Sequence, residues 1–291
     1  MRLNKMLEEF VLTAWGLLFH HVLVPSPPAL FSKKSLHPAP IVLTVKTHQG
    51  VPYIKDEKLP YILGEQSTNY FHASASQAKN IELSAQRLNG TVVEAGKTFS
   101  YYAVVGPYTQ ENGFGWGRAF MGDRIVPSVG GGVCQGSSTL YSAILRTGLR
   151  VVERHQHGLT VPYLPPGEDA TVAGDYLNFQ FQNNRQTPIL ILADAKKRHM
   201  SVKIMGASPG PDIAVHHKIL ATYPFRTIIQ YRPNLKPGEE KIVAPGQVGV
   251  KVQNWLDIKE TNGVVVKHLG IDRYRPTPRI IEKGRPLESS S

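Results

Sequence analysis

Residues 129–149, VGGGVCQGSSTLYSAILRTGL, hold the one cysteine of a 291-residue chain, Cys134, directly behind three glycines. Beyond it, Leu140, Ile144 and Gly148 fall on one helical row and Tyr141, Leu145 and Leu149 on the next, which predicts a helix with one apolar face. Ser137 and Ser138 read as its caps and Gly148 as its stop. Cys134 then sits at a helix amino terminus, where unpaired N–H groups and the helix dipole stabilise a thiolate. Gly130, Gly131 and Gly132 clear side chains from a substrate's approach, and N–H groups near Gly132 to Cys134 offer a cradle for an oxyanion. A cysteine nucleophile needs this layout; a packed, inert thiol is the other reading of the same stretch.

A nucleophile needs a base, and the next polar cluster downstream, VVERHQHGLTVPYLPPGEDATV over residues 151–172, supplies His155 and His157. Two apart in an extended segment, both imidazoles face one side, with Asp169 or Glu153 available to orient whichever is the base. Arg154 points the other way and suits a carboxylate. A structural histidine pair is the bland alternative, and a Cys–His–His–Asp metal site is a third, although no further cysteine or acidic cluster accompanies it. The glycine run lacks the lysine and threonine of a phosphate-binding loop. No metal or cofactor is expected.

Composition narrows the class. With 41% hydrophobic side chains the chain buries a substantial core, and 22 prolines and 26 glycines without a period favour short strands and turns over a helical bundle. A lone cysteine excludes internal disulfides and multi-cysteine zinc sites. The net charge of +11 attracts anionic partners such as wall polymers or a membrane surface. It also suits nucleic acid, but no basic stripe with interleaved aromatics is present and no nucleic-acid partner is expected.

Along the chain, residues 1–24 contain the apolar run FVLTAWGLLFHHVLV (10–24), short for a membrane span and readable as an anchor or as a helix packed on the protein. Residues 25–50 are proline-rich and read as a linker. A core domain occupies 51–206: Ile81, Leu83, Ala85 and Leu88 predict a helix, the Asn89-Gly90 pair a turn before the strand TVV, DYLNFQFQN (175–183) alternates as a half-buried strand, and PILILADA and MSVKIMG form a hairpin. ASPGPD (207–212) marks a boundary, residues 207–284 make a small β module, and 285–291 are a tail. The fold class expected is α+β, a β-rich core with a few helices plus that module.

Four blocks in this order, NIELSAQRLNGTVVEAGKTFSYYAVVGP, GGGVCQGSSTLYSAILRTGL, ERHQHGLTVPYLPPGEDATVAGDYLNFQFQN and TPILILADA, resemble the VanW domain family over residues 60–206. The resemblance implies cell-wall work in bacteria, and the single-cysteine core is similar to thiol L,D-transpeptidases that join peptidoglycan stems. It carries Gly130, Gly131, Gly132, Cys134, Gln135, Ser137 and Ser138 onto one family block, and Glu153, Arg154, His157, Tyr163 and Asp169 onto another, favouring His157 over His155 as base. Catalysis is expected from Cys134, His157, His155 and Asp169. Binding of stem peptides or their precursor is expected from the glycines, Gln135, Ser137, Ser138, Arg154, Tyr163 and Arg118. Gly136 and Asn178 depart from the pattern, the first loosening the helix start and the second removing a carboxylate. LKPGEEKIVAPGQ (235–247) and RYRPTPRIIEKG (273–284) resemble a G5 module. Two functions follow as expectations: a thiol acyltransferase of the cell envelope, or a non-catalytic peptidoglycan-binding module linked to glycopeptide resistance.

Overall fold

A four-stranded antiparallel sheet organises the first half of the protein, in the order Tyr61–Asn69, His199–Gly206, Ile189–Lys196, Thr91–Val93. The computed structural model describes residues 46–48, 51–54, 57–121 and 124–285. The apolar segment 1–24 and most of the linker 25–50 lie outside the described residues; Lys46–His48 is a strand paired with Val51–Ile54. All described residues fall in one compact unit.

The hairpin of this sheet closes through Lys197 and Arg198, both at positive φ (50° and 63°), a two-residue turn whose twist suits antiparallel strands. Alternation along Ile189–Lys196 sends Ile189, Ile191 and Ala193 into the main core and Leu190 to the opposite face with Leu59, Val92 and Met205. Helix α1 (Ala75–Leu88) starts where Ser74 accepts a hydrogen bond from the Gln77 N–H at 3.2 Å, and its buried Ala78, Ile81, Ala85 and Leu88 repeat at helical spacing. Helix α2 (Tyr101–Val105) is a short turn capped by Ser100.

Helix α3 (Val133–Leu145) packs against α1 and the Tyr61–Asn69 strand. It is buried on every side, whereas the sequence predicts a single apolar face. Its hydroxyls make this possible by finding backbone acceptors: Thr139 donates to the Gln135 carbonyl at 2.7 Å and Ser137 to that of Ala170 at 2.6 Å. Ser137 and Ser138 are therefore not caps; the cap is Gly132. The strand read over 175–183 is also shorter, Gln180–Gln182, because Ala173 and Leu177 close a bridge first. Asn178 turns inward, its side chain accepting from the Tyr102 N–H at 3.0 Å and donating to the Ser100 hydroxyl at 2.8 Å. The carboxylate expected there is replaced by a group that both donates and accepts, as this position requires.

Among the described residues after Gly206 the regular elements are all β-strands. Asp212–Tyr223, Gly249–Glu260 and Gly263–Tyr274 form one antiparallel sheet. Thr227–Pro237, Thr277–Gly284 and Glu240–Gln247 form another, with the first two parallel. The architecture is thus β-rich with three α-helices among the described residues and a C-terminal β module.

Candidate functional site

Cys134 is the second residue of α3, at the end of a glycine turn whose shape is set by packing. Gly132 has φ 112°, and a Cβ on Gly131 would lie 2.2 Å from the Gly117 backbone in the hairpin Trp116–Met121/Arg124–Val129. The glycines are required first by the turn and this close approach; Gly130 and Gly132 also line the cleft described below. The buried Asn80 amide fixes the turn, donating to the Gly115 and Gly131 carbonyls at 2.8 and 2.9 Å. From the other side the Tyr101 hydroxyl donates to the Val133 carbonyl at 3.0 Å. That hydroxyl is 2.3 Å from where a Cβ on Gly136 would stand, so Gly136 admits the tether that fixes the helix start rather than loosening it.

The N–H groups of Gly130, Gly131, Val133 and Gln135 donate to the carbonyls of Gly115, Ser128, Gly130 and Gly132. Among the described residues this leaves the N–H groups of Gly132 and Cys134 as the turn's donors for an oxyanion. Ser137 and Ser138, read as substrate contacts, are buried and serve the chain instead: both donate to the Ala170 carbonyl, and Ser138 also accepts from the Ala170 N–H at 3.0 Å. They pin the segment after Asp169 onto α3. The Cys134 sulfur consequently meets that segment, 3.7 Å from the Thr171 hydroxyl and 3.4 Å from the Val172 carbonyl.

His157 and Asp169 are 1% and 0% exposed, and their side chains join through a 2.7 Å bond between His157 Nδ1 and Asp169 Oδ2. The same oxygen accepts the His157 backbone N–H at 2.7 Å. With Nδ1 so engaged, the attraction between His157 and the Cys134 thiol is left to the ring's other nitrogen, Nε2. The remaining oxygen of Asp169, Oδ1, accepts from Arg154 Nη2 at 3.2 Å and from the Tyr274 hydroxyl.

Charge follows this geometry. Burial pushes the Cys134 thiol up, but its bond to and charge attraction by His157 more than reverse this and hold it below its ordinary value. Burial pushes His157 down, while Asp169 and then Cys134 raise it to about 9. Burial would raise Asp169, yet His157, Arg154 and Tyr274 hold it at about 2. The three directions run the same way, favouring charge on the thiol, the imidazole and the carboxyl together.

The remaining predicted residues divide. His155 turns away from the thiol and pairs with Glu153 at 2.9 Å, because residues 154–157 are not a regular strand and the two imidazoles diverge. Arg154 does not face the cleft: its Nη1 lies 2.8 Å from both oxygens of Asp272 and its Nε donates to the Asp169 carbonyl at 2.7 Å. Gln135 is buried, and its amide donates to Thr68 Oγ1 and the Asn69 carbonyl at 3.0 and 2.9 Å. Tyr163 and Arg118 do border the cleft. Asn80, Tyr101, Asp272 and Tyr274 were not singled out by the sequence; each acts on a partner at least 32 residues away, which leaves no local pattern.

The cleft has a volume of about 510 Å³, with Cys134 in its wall beside Tyr102, Tyr108, Tyr163, Tyr176 and Arg118. Aromatic faces and one guanidinium around a thiol suit a polar, extended ligand carrying a carboxylate.

A family model described as VanW like protein matches residues 76–205, and one described as G5 domain matches residues 217–285. An uncharacterized protein of Bacillus subtilis (strain 168), YoaR, is 40% identical over 146 residues, 49% of this chain and 48% of its own. The vancomycin B-type resistance protein VanW of Enterococcus faecalis (strain ATCC 700802 / V583) is 25% identical over 146 residues, 45% of this chain and 52% of its own. The chain thus spans about half the length of the curated relatives it matches. Among solved structures, the IgA1 protease G5 domain is 24% identical, covering 28% of this chain and 100% of its own at a TM-score of 0.19. A second crystallised G5 domain is 21% identical, covering 25% of this chain and 99% of its own at a TM-score of 0.16. The chain carries a VanW-like domain over residues 76–205 followed by a G5 domain over residues 217–285.

Proposed function

We propose that this protein works on peptidoglycan in the bacterial cell envelope as a thiol acyltransferase of the L,D-transpeptidase type. The observation that carries the reading is the buried His157–Asp169 pair, whose charge holds the Cys134 thiol below its ordinary value, with that thiol in the wall of a cleft. The Cys134 thiolate attacks the carbonyl carbon of the amide between the third and fourth residues of a stem peptide. The resulting oxyanion is met by the N–H groups of Gly132 and Cys134, and as the C–N bond breaks His157 gives its proton to the departing amine. An amine of a second stem then attacks the thioester; the C–S bond breaks, the thiolate returns and His157 regains a proton. Arg118, at the rim, is the cation available for a stem carboxylate.

A second reading, a non-catalytic module that binds peptidoglycan or its precursor, draws more on the comparisons: similarity to a vancomycin-resistance protein, together with a G5 domain, favours wall-related work and names no catalysis. The net charge of +11 favours anionic wall polymers under either reading. The test is to incubate the full chain and its Cys134→Ala variant with disaccharide tetrapeptides and read the products by mass spectrometry. Cross-linked dimers or a thioester adduct formed only with the thiol support acyl transfer. Binding by both proteins with unchanged substrate refutes it and leaves the module.

A further inference from the structure

The G5 domain touches the thiol site in a way its sequence position does not announce. The end of its strand Gly263–Tyr274 lies along the segment that carries His157. The Gln156 amide donates to the Arg273 carbonyl at 2.5 Å and its oxygen accepts the Arg273 N–H at 3.2 Å. The Arg275 N–H donates to the Gly158 carbonyl at 2.8 Å. Both neighbours of His157 are therefore held by one strand end.

The same strand also holds the carboxylate behind the histidine. Tyr274 is 2% exposed, and its hydroxyl accepts the Gly167 N–H at 2.8 Å while donating to Asp169 Oδ1. Asp272 takes both its oxygens to Arg154, whose guanidinium also meets Asp169 Oδ1, and is itself held by Asn254 Nδ2 at 3.1 Å. One oxygen of Asp169 thus faces His157 and the other is anchored through groups of the G5 domain. A carboxylate with both oxygens engaged has a fixed rotation, which keeps Oδ2 on Nδ1 and leaves Nε2 for the sulfur.

We propose that the G5 domain completes the VanW site, its strand end clasping the His157 segment and Tyr274 serving as the positioning residue for Asp169. The inference rests on the thiol reading above and makes the second domain part of the site rather than only an adhesion module. Its consequence is that Cys134 reactivity answers to groups more than 100 residues downstream in the chain, the Tyr274 hydroxyl and the Arg273 backbone.

The test is the pH profile of Cys134 alkylation by iodoacetamide, read by intact mass on the full chain, for the wild type, Tyr274→Phe, Gln156→Ala and the control Tyr231→Phe. Tyr231 is 54% exposed on the far strand Thr227–Pro237. Circular dichroism confirms folding, and Gln156→Ala, at an exposed hydrogen bond, keeps the comparison available if Tyr274→Phe unfolds. Tyr274→Phe is expected to lower the alkylation rate at pH 7 about tenfold, the effect of losing one hydrogen bond to a charged group, and Gln156→Ala, which loses neutral bonds to the Arg273 backbone, about threefold. The control is expected to overlay the wild type. Folded clasp variants that overlay the wild type overturn the inference while the low wild-type midpoint keeps the thiol reading. A wild type that alkylates like an ordinary thiol overturns both together.

Discussion

Asp169→Asn keeps the side chain's shape while removing its charge and turning an amide N–H2 toward donors on one of its two sides. His157 stands at about 9 against its ordinary 6.5. Asp169 and Cys134 supply this rise against the opposing effect of burial, so neutralising Asp169, which loses a hydrogen bond to a charged partner worth about 2 kcal/mol, is expected to cut the imidazolium–thiolate population at pH 7 roughly tenfold or more. Iodoacetamide alkylation measured from pH 5 to 10 reads this directly. The wild-type midpoint is expected below the ordinary thiol value of 9.0 and the variant's above the wild type's. Unfolding gives a second check. Asp169 is depressed from 3.8 to about 2, so its contribution is present above 3.8 and lost as pH falls through 2. His157 is raised, so its contribution is present below 6.5 and lost as pH rises through about 9. The wild type should therefore exceed Asp169→Asn in stability most between pH 3.8 and 6.5, with the difference shrinking on both sides. Superimposable alkylation profiles from two folded proteins would refute the reasoning.

Three further perturbations separate structural from chemical roles. Gly136→Ala places a methyl 2.3 Å from the Tyr101 hydroxyl. It should cost about 1–3 kcal/mol, where an unhindered helical site would gain up to about 1; an increase in melting temperature would show that the tether is dispensable. His155→Ala removes only the half-exposed pair with Glu153, so the alkylation profile should stay within about twofold of wild type; a tenfold loss would return His155 to the candidate bases. His217→Gln breaks a 2.9 Å contact with Glu168. That contact raises His217 above 6.5, so its stabilisation is present below 6.5 and lost as pH rises through the raised value. Melting temperatures of variant and wild type should differ at pH 6 and converge at high pH; a constant gap would mean that the contact acts without its charge.

What could be read from the sequence was whatever is local. The helix behind Cys134 is periodic, and His157 and Asp169 are 12 residues apart in one segment, so the pairing of this histidine with this acid was within reach of local reading. Residue chemistry was also readable at Arg154, which does pair with carboxylates, though the decisive one, Asp272, lies 118 residues on. Roles set by distant backbone were not readable. Gln135 does line the cleft, but its amide N–H groups are spent on Thr68 and on Asn69, 66 residues back, while Ser137 and Ser138 look like caps and act as clamps on Ala170. A polar side chain in a buried helix must find an acceptor somewhere, and the sequence does not say where.

Glu168 and Asp169 show how the two domains come to share one site. Adjacent in sequence and nearly buried, at 3% and 0% exposure, they would destabilise the fold if left uncompensated. Their partners diverge. Glu168 accepts from Ser142 at 2.5 Å, Arg146 at 2.8 Å and His217 at 2.9 Å, binding the end of α3 to the G5 domain. Asn254 also constrains His217: its Nδ2 donates to Asp272, so its Oδ1 must accept from His217 Nδ1, 3.0 Å away, while Glu168 accepts from Nε2. Two donating nitrogens make His217 an imidazolium. Asp169 is matched in the same way by Arg154 and His157. Each buried acid thus has at least one cation from the VanW-like domain at its side, Arg146 for Glu168 and Arg154 with His157 for Asp169, and each is tied to the G5 domain, through His217 for one and Tyr274 for the other. Separating the domains would expose two charge networks at once, so the histidine behind the thiol is held in place before any substrate arrives.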